Sequence, residues 1–212
     1  MKIVSLNVSL PKNVEFRGNN VSTGIYNEPV KGRLKVRTLN IEGDKQADLT
    51  VHGGPDKAVY AYPSEHYPYW KDHYPDLTMD YGMFGENFTT EGLLEDETNI
   101  GDKYQIGSAK FAVTQPRMPC FKLGIKFESP DIIKKLFASA KCGIYFKVLV
   151  EGEVGAGYEI KLVKRDENNV TIQDIMKTYG DERNNRDLLE REVKIDALPL
   201  GWKSHYNDIL QS

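Results

Sequence analysis

In this chain of 212 residues, the position with the most chemistry open to it is Cys120. It ends the run Thr114-Gln115-Pro116-Arg117-Met118-Pro119-Cys120, which continues as Phe121-Lys122-Leu123. Pro119 suits the first position of a helical turn, so the thiol is expected at a helix N-terminus with Arg117 and Lys122 close in sequence. Helix dipole and cationic neighbours both favour a thiolate, which serves as nucleophile or as ligand to a soft metal. Most single cysteines are small buried hydrophobes, and the residues alone leave both readings open. Cys142, beside Gly143 and ahead of an apolar run, reads as a packing residue. The pair Gly53-Gly54 lets a ligand approach the backbone and exposes N–H groups to an anion; the same pair also makes an ordinary inter-strand turn. His52, next to it, is the histidine best placed to join a site. His66 and His73 lie in an aromatic segment with no Glu or Cys completing a zinc set, and His205 needs no special role. Asn87, in Phe84-Gly85-Glu86-Asn87, carries an amide able to donate and accept at a polar heterocycle, or it simply turns the chain into a strand.

These positions need a scaffold, and the patterning predicts a mostly β one. Ile3 to Val8 reads as an opening strand, and Arg33 to Arg37 alternates polar with apolar. The stretch between them, rich in Asn, Gly and Pro, is expected to be loop. Ala58 to Tyr62 forms a short strand ended by Pro63, after which Ser64 is expected to cap a helix reaching Tyr74. Lys103 to Ile106 and Lys110 to Thr114 flank Gly107-Ser108-Ala109 as a hairpin. Further strands are expected at Ile144 to Val150 and Tyr158 to Leu162, with a helix from Pro130 to Ala138 between the groups. Many short, mostly antiparallel strands favour a barrel-like β domain over residues 1–165. After Arg165 the pattern turns helical: Thr171 and Asp174 resemble a capping arrangement, and three helices are expected in residues 166–212 as a small appendage.

Composition excludes more than it names. Apolar residues are 40% and charged residues 28%, the balance of a soluble globular protein. A net charge of −3 argues against a nucleic-acid polymer as partner. No apolar run approaches the roughly 20 residues that cross a bilayer, and the stretch after Met1 is too short for a signal peptide. Two cysteines are too few for a disulfide framework, so a reduced, cytoplasmic setting is expected.

Taken in order, Asp48-Leu49-Thr50-Val51-His52-Gly53-Gly54-Pro55-Asp56-Lys57-Ala58-Val59, Tyr62-Pro63-Ser64-Glu65-His66-Tyr67, Phe84-Gly85-Glu86-Asn87, Ile100-Gly101-Asp102 and Gln115 to Leu123 resemble the MOSC family, named for the C-terminal domain of molybdenum cofactor sulfurases. More narrowly they are similar to its YiiM-like branch, in which a short three-helix region follows the MOSC domain. The resemblance covers nearly the whole chain and implies a MOSC-type β-barrel. It implies that Cys120 ligates molybdenum in a bound molybdenum cofactor (Mo-molybdopterin). It also implies reduction of N-hydroxylated compounds, such as 6-hydroxylaminopurine-type base analogues, to amines in a detoxifying role. Electrons would come from a separate flavin-containing reductase, since the chain carries no flavin, haem or iron–sulfur motif.

The residues fit such a transfer. A molybdenum dithiolene centre is soft enough to want a thiolate, and the pterin phosphate wants N–H groups or cations. Gly53, Gly54, Lys57, Arg117 and Arg33 are candidates for the phosphate, Asn87 and Gln115 for the pterin edge or the substrate, and His52 for a proton. In Thr23-Gly24-Ile25-Tyr26-Asn27, relatives commonly place a lysine where Asn27 stands, which removes one expected phosphate contact. Two other classes of function use the same residues: a molybdopterin carrier or sulfur-transfer module without turnover, and a cofactor-free hydrolase or transferase built on Cys120 and His52. The latter lacks a marked orienting Asp or Asn.

Overall fold

Short runs of β-branched and aromatic residues punctuated by Gly and Pro give this chain many brief strands. The structure, a computed structural model, describes residues 1–47 and 53–212. Its strands are β1 (Lys2–Val8), β2 (Lys12–Phe16), β3 (Asn19–Thr23), β4 (Glu28–Pro29), β5 (Arg33–Val36), β6 (Val59–Pro63), β7 (Phe88–Glu91), β8 (Lys103–Ile106), β9 (Ala109–Pro116), β10 (Ile144–Val150), β11 (Gly152–Gly155) and β12 (Ile160–Lys164). Its helices are α1 (Tyr67–His73), α2 (Phe121–Lys126), α3 (Asp131–Ser139), α4 (Ile172–Tyr179), α5 (Arg186–Glu192) and α6 (Leu200–Gln211).

Eight strands form one mixed sheet in the order β12-β8-β9-β10-β6-β7-β1-β4. Its pairings are antiparallel except for β6 with β7, which run parallel with Ala61 opposite Phe88. The barrel expected from the strand pattern is corrected here: the sheet keeps two ends, β12 and β4. Those ends approach without a ladder. Ile160 N donates to Met1 O at 3.0 Å, Ile3 N to Tyr158 O at 2.9 Å and Gly157 N to Ile3 O at 2.8 Å. The contact falls on β1, one strand in from β4, so a few bonds join the ends where a barrel would have continuous pairing. Inside, Phe111 packs edge-on against Phe88 and Phe146 at centroid distances of 5.9 and 5.7 Å. Full burial of rings such as these stabilises by roughly 1.5–3 kcal/mol each.

Two local expectations also change. The stretch read as loop between Val8 and Arg33 holds the β2–β3 hairpin, with Phe16 opposite Asn19. Its two central residues, Arg17 and Gly18, both have positive φ, 52° and 75°, as a type I′ turn requires. Its alternation is faint because the hairpin is mostly exposed. Ser64 does not cap a helix; it opens a 3-10 turn, Ser64–His66, that leads into α1. By contrast Thr171 and Asp174 form a full capping box, with Asp174 N donating to Thr171 Oγ1 at 3.1 Å and Thr171 N to Asp174 Oδ2 at 3.0 Å. Helix α4 is sewn to the sheet domain at its entrance, where Ile172 N donates to Thr98 O and Ile100 N to Val170 O, both at 2.9 Å. Ile172, Ile175, Trp202 and Tyr206 join the same core cluster as the sheet residues. Among the described residues no helix is long and apolar enough to cross a membrane.

Candidate functional site

Strand register brings together residues that lie far apart in sequence. Tyr145 of β10 sits opposite Gln115 of β9 on one side and Tyr60 of β6 on the other. Tyr60 is in turn bonded to Asn87, at the mouth of β7, by two hydrogen bonds: Tyr60 N donates to Asn87 Oδ1 at 3.0 Å and Asn87 N to Tyr60 O at 2.8 Å. Gln115, Tyr145, Tyr60 and Asn87 therefore form one row across four neighbouring strands. The chain leaves β9 with Arg117, whose N–H reaches Gly143 O at 3.4 Å, and turns at Pro119. Cys120 follows as the N-cap residue of α2 in extended conformation, as the sequence predicts. Phe121, beside it, meets Phe16 of the β2–β3 hairpin at 6.3 Å between centroids.

Tyr145, Tyr60 and Asn87 of this row, with the turn, wall a cavity of about 90 Å³ that Cys120, Arg117 and Lys57 also line. Arg117 is 6% exposed. Its guanidinium carbon lies 5.4 Å from the Tyr60 ring centre, and its Nη1 is buried with no hydrogen-bond partner. Burial works against its charge, but the acidic groups of Tyr60, Cys120 and Tyr145 around it hold its pKa above the ordinary arginine value. Thr23, Asn27, Asp44, Lys45 and Lys122 complete much of the lining. Asp44 accepts from Ser9 N at 3.0 Å. Burial pushes its carboxyl above the usual range, against the lowering effect of Ser9 and the Asn87 side chain. Burial lowers the Lys57 ammonium, partly offset by Asp56.

The far wall is the loop 82–87, and Glu86 fixes it. The Glu86 carboxyl is fully buried and accepts from Gly82 N at 2.8 Å, Phe84 N at 3.0 Å, Thr89 Oγ1 at 2.8 Å and the Tyr67 hydroxyl. Burial raises its pKa although Tyr67, Gly82 and Thr89 pull it down. Gly82 and Gly85 are required there: both have positive φ, 92° and 78°, and a Cβ on either would collide with Asn27 or Ile25. Asn27 locks the same loop, its amide donating to Gly85 O at 3.1 Å and Glu86 O at 3.0 Å while it accepts from Ser9 Oγ at 2.7 Å. Asn27, where the resemblance implies a lysine, is thus a loop clamp here, and the cavity draws its lysines from positions 45, 57 and 122.

Of the candidates read from sequence, Cys120, Arg117, Lys57 and Asn87 share this cavity. Gly53, Gly54 and Gln115 line an adjoining cleft of about 520 Å³ that also includes Lys57. The Gln115 amide is engaged there, accepting from Trp202 Nε1 at 2.7 Å and donating to Asp56 O at 3.4 Å. Arg33 sits apart, exposed on β5, its guanidinium carbon 5.8 Å from the Tyr158 ring centre. His52 lies outside the described residues. Tyr60, Tyr145, Asp44 and Lys122 were not among the candidates. The two tyrosines were findable only through strand register, and Asp44 carries no local signal. Among the described residues no group of three or more His, Cys, Asp and Glu is arranged to hold a metal ion. Cys142 is fully buried, consistent with packing, and burial pushes its thiol well up.

Comparison with known proteins gives four findings. A family model described as the MOSC domain matches residues 48–161. The crystal structure of YiiM from Geobacillus stearothermophilus superposes with a TM-score of 0.84 and 36% identity, covering 99% of this chain and 98% of that one. Among curated proteins, Escherichia coli (strain K12) YiiM is 40% identical over 147 residues, 68% of this chain and 65% of its own length. A Gibberella moniliformis protein named reductase is 33% identical over 152 residues, 70% of this chain and 27% of that longer protein.

Proposed function

This chain belongs to the MOSC domain family as a YiiM-like member, and from that premise we propose that its cavity binds molybdenum cofactor through Cys120 and that the protein reduces N-hydroxylated compounds to amines. The observation that carries the reading is the buried, unpartnered Nη1 of Arg117 in the same cavity as Cys120. A buried donor without a partner costs about 1–3 kcal/mol, and an anion in the cavity would satisfy it. The donor set fits this cofactor. Cys120 offers a soft ligand, and a metal that brings its other ligands on an organic dithiolene needs no protein cluster. Arg117, Lys57, Lys122 and Lys45 would hold the phosphate, and Asn87, Asn27 and Asp44 present the mix of donors and acceptors that a pterin edge wants. Gly53 and Gly54 expose backbone to the adjoining cleft.

When bound, the cofactor supplies a two-electron redox centre able to break an N–O bond. The reaction balances as R–NHOH plus two electrons and two protons giving R–NH₂ and water. The electrons come from a separate flavin-containing reductase, and the fungal relative's name is in line with such chemistry. Asp44 is the described carboxyl lining the cavity, and burial raises its pKa above the usual carboxylate range, the direction a proton donor needs. Tyr60 and Tyr145, their rings tilted by 41° at 5.2 Å between centres, give the cavity an aromatic wall.

The test is to load purified protein with molybdenum cofactor and assay 6-hydroxylaminopurine with an artificial electron donor, while measuring bound molybdenum. Wild type should carry metal and turn over; Cys120→Ser should lose both. Full activity in that variant, or activity in protein free of molybdenum, would remove Cys120 from the ligand role.

A further inference from the structure

The cleft beside the cavity is built by two elements from distant parts of the chain. One is the 3-10 turn Pro55–Lys57 with Gly53 and Gly54 ahead of it; the other is the end of α4 and the start of α6. From the helices, Tyr179 lies 5.4 Å from both Trp202 and His205 between ring centres. Tyr179 is backed in turn by Phe137 at 5.9 Å. Met118, two residues before Cys120, lines the same space. Glycines leave it open on both elements: a Cβ on Gly54 or on Gly201 would meet nothing within 4 Å. At about 520 Å³ the cleft falls within the range of small-molecule sites, roughly 300–1,000 Å³. Lys57 lines cleft and cavity together, so the two spaces lie side by side at this residue.

We propose that this cleft seats the ring of the substrate: a flat, nitrogen-bearing aromatic hydroxylamine lies between the Gly53–Gly54 backbone and the Tyr179, Trp202 and His205 rings, with its N–OH group toward Lys57 and Cys120. The proposal rests on the reductase reading above and adds to it that the C-terminal helices choose the substrate. Three aromatic side chains around one space favour a planar π-system over an aliphatic chain, and peptide groups of glycine turns serve the ring's polar edge. Trp202 is held in place by its bond to Gln115, so its face is presented in a fixed orientation.

The experiment uses the whole chain without cofactor, titrated with adenine by calorimetry. Gly201→Leu puts a side chain into the open space of the cleft, improves helix propensity and leaves the Cys120 cavity untouched. Adenine should bind wild type one to one and at least tenfold more weakly in Gly201→Leu at unchanged melting temperature. In cofactor-loaded protein the variant should keep its molybdenum content. Its kcat/KM should fall at least tenfold for 6-hydroxylaminopurine and less than threefold for hydroxylamine itself, which is too small to need the cleft. If leucine disturbs the fold, His205→Ala on an exposed side chain carries the same comparison. Absence of adenine binding in wild type, or binding unaltered by both variants, overturns the proposal. Loss of molybdopterin from Gly201→Leu also overturns it, because the pterin would then own the cleft. Failure of the reductase reading has a different mark: cofactor-loaded wild type would leave 6-hydroxylaminopurine unreduced whatever adenine does.

Discussion

The indole Nε1 of Trp202 donates a hydrogen bond to Oε1 of Gln115 at 2.7 Å, joining α6 to β9 across 87 residues of sequence. The other end of that amide reaches Asp56 O, so a single side chain ties the helices, the sheet and the Gly53–Lys57 turn together. Trp202→Phe keeps an aromatic ring but leaves Oε1 buried without its donor, at a cost of about 1–3 kcal/mol. At roughly 2–4 °C per kcal/mol for a chain this long, the melting temperature should fall by several degrees in calorimetry. An unchanged transition would show that the bond contributes nothing to stability.

Gln115 also marks where sequence reading reached its limit. Its place in the Gln115 to Leu123 run was legible, as were Cys120 at the head of α2 and the capping box of α4, because each depends on neighbours within a few residues. The partner of Gln115 was not, because Trp202 meets it only through tertiary packing. The same holds for the Tyr60–Tyr145–Gln115 row, which exists by strand register alone. The β2–β3 hairpin escaped for another reason: its strands bury too little to print an alternation, and its turn uses Arg17 where Asn or Gly would signal a type I′ turn. Whether strands close into a barrel depends on how their ends meet, and three backbone bonds between residues 1–3 and 157–160 carry no side-chain signature at all.

Glu86 should prove a keystone of the cavity wall. Three donors converge on its Oε1 and Phe84 N on its Oε2. In Glu86→Gln the amide nitrogen must face at least one of these donors, and a donor opposed to a donor in a dry site is expected to cost about 1–3 kcal/mol. Urea denaturation should show the loss, with cofactor retention falling as Asn87 shifts. A variant as stable as wild type would mean that the loop holds without its carboxyl.

A second buried carboxyl predicts a pH dependence. Glu192 is buried against Thr178, whose Oγ1 donates to its Oε1 at 2.9 Å, while Oε2 has no partner. Burial raises its pKa to about 8; Asp174 adds to the rise, while Thr178 and Arg191 pull the other way. Tyr206, also raised by burial, completes the cluster. With an ordinary value of 4.5, the folded state binds this proton more tightly than the unfolded chain. Its contribution is therefore fully present below about pH 4.5 and is lost as pH rises toward 8. Glu192→Gln removes the titration. Melting curves should show the variant more stable than wild type at pH 9 and close to it at pH 5; parallel curves at both would place the proton elsewhere.

Arg117 separates ligand binding from folding. Its Nη1 makes no hydrogen bond inside the protein, so that donor is left for what enters the cavity, and its packing over Tyr60 is worth about 2 kcal/mol. Arg117→Ala should lower the melting temperature of the cofactor-free protein by only a few degrees. It should nevertheless cut bound molybdenum at least tenfold after gel filtration, because a buried charge-assisted contact to phosphate contributes more than a neutral one. Arg117→Lys keeps the charge without the planar fork and should fall between the two. Inorganic phosphate supplies a check that needs no cofactor: at millimolar concentration it should raise the melting temperature of wild type, as any ligand bound to the native state does, and leave Arg117→Ala where it was. Equal shifts in both proteins would mean that phosphate binds elsewhere, and a collapse of the cofactor-free variant would make Arg117 a structural residue.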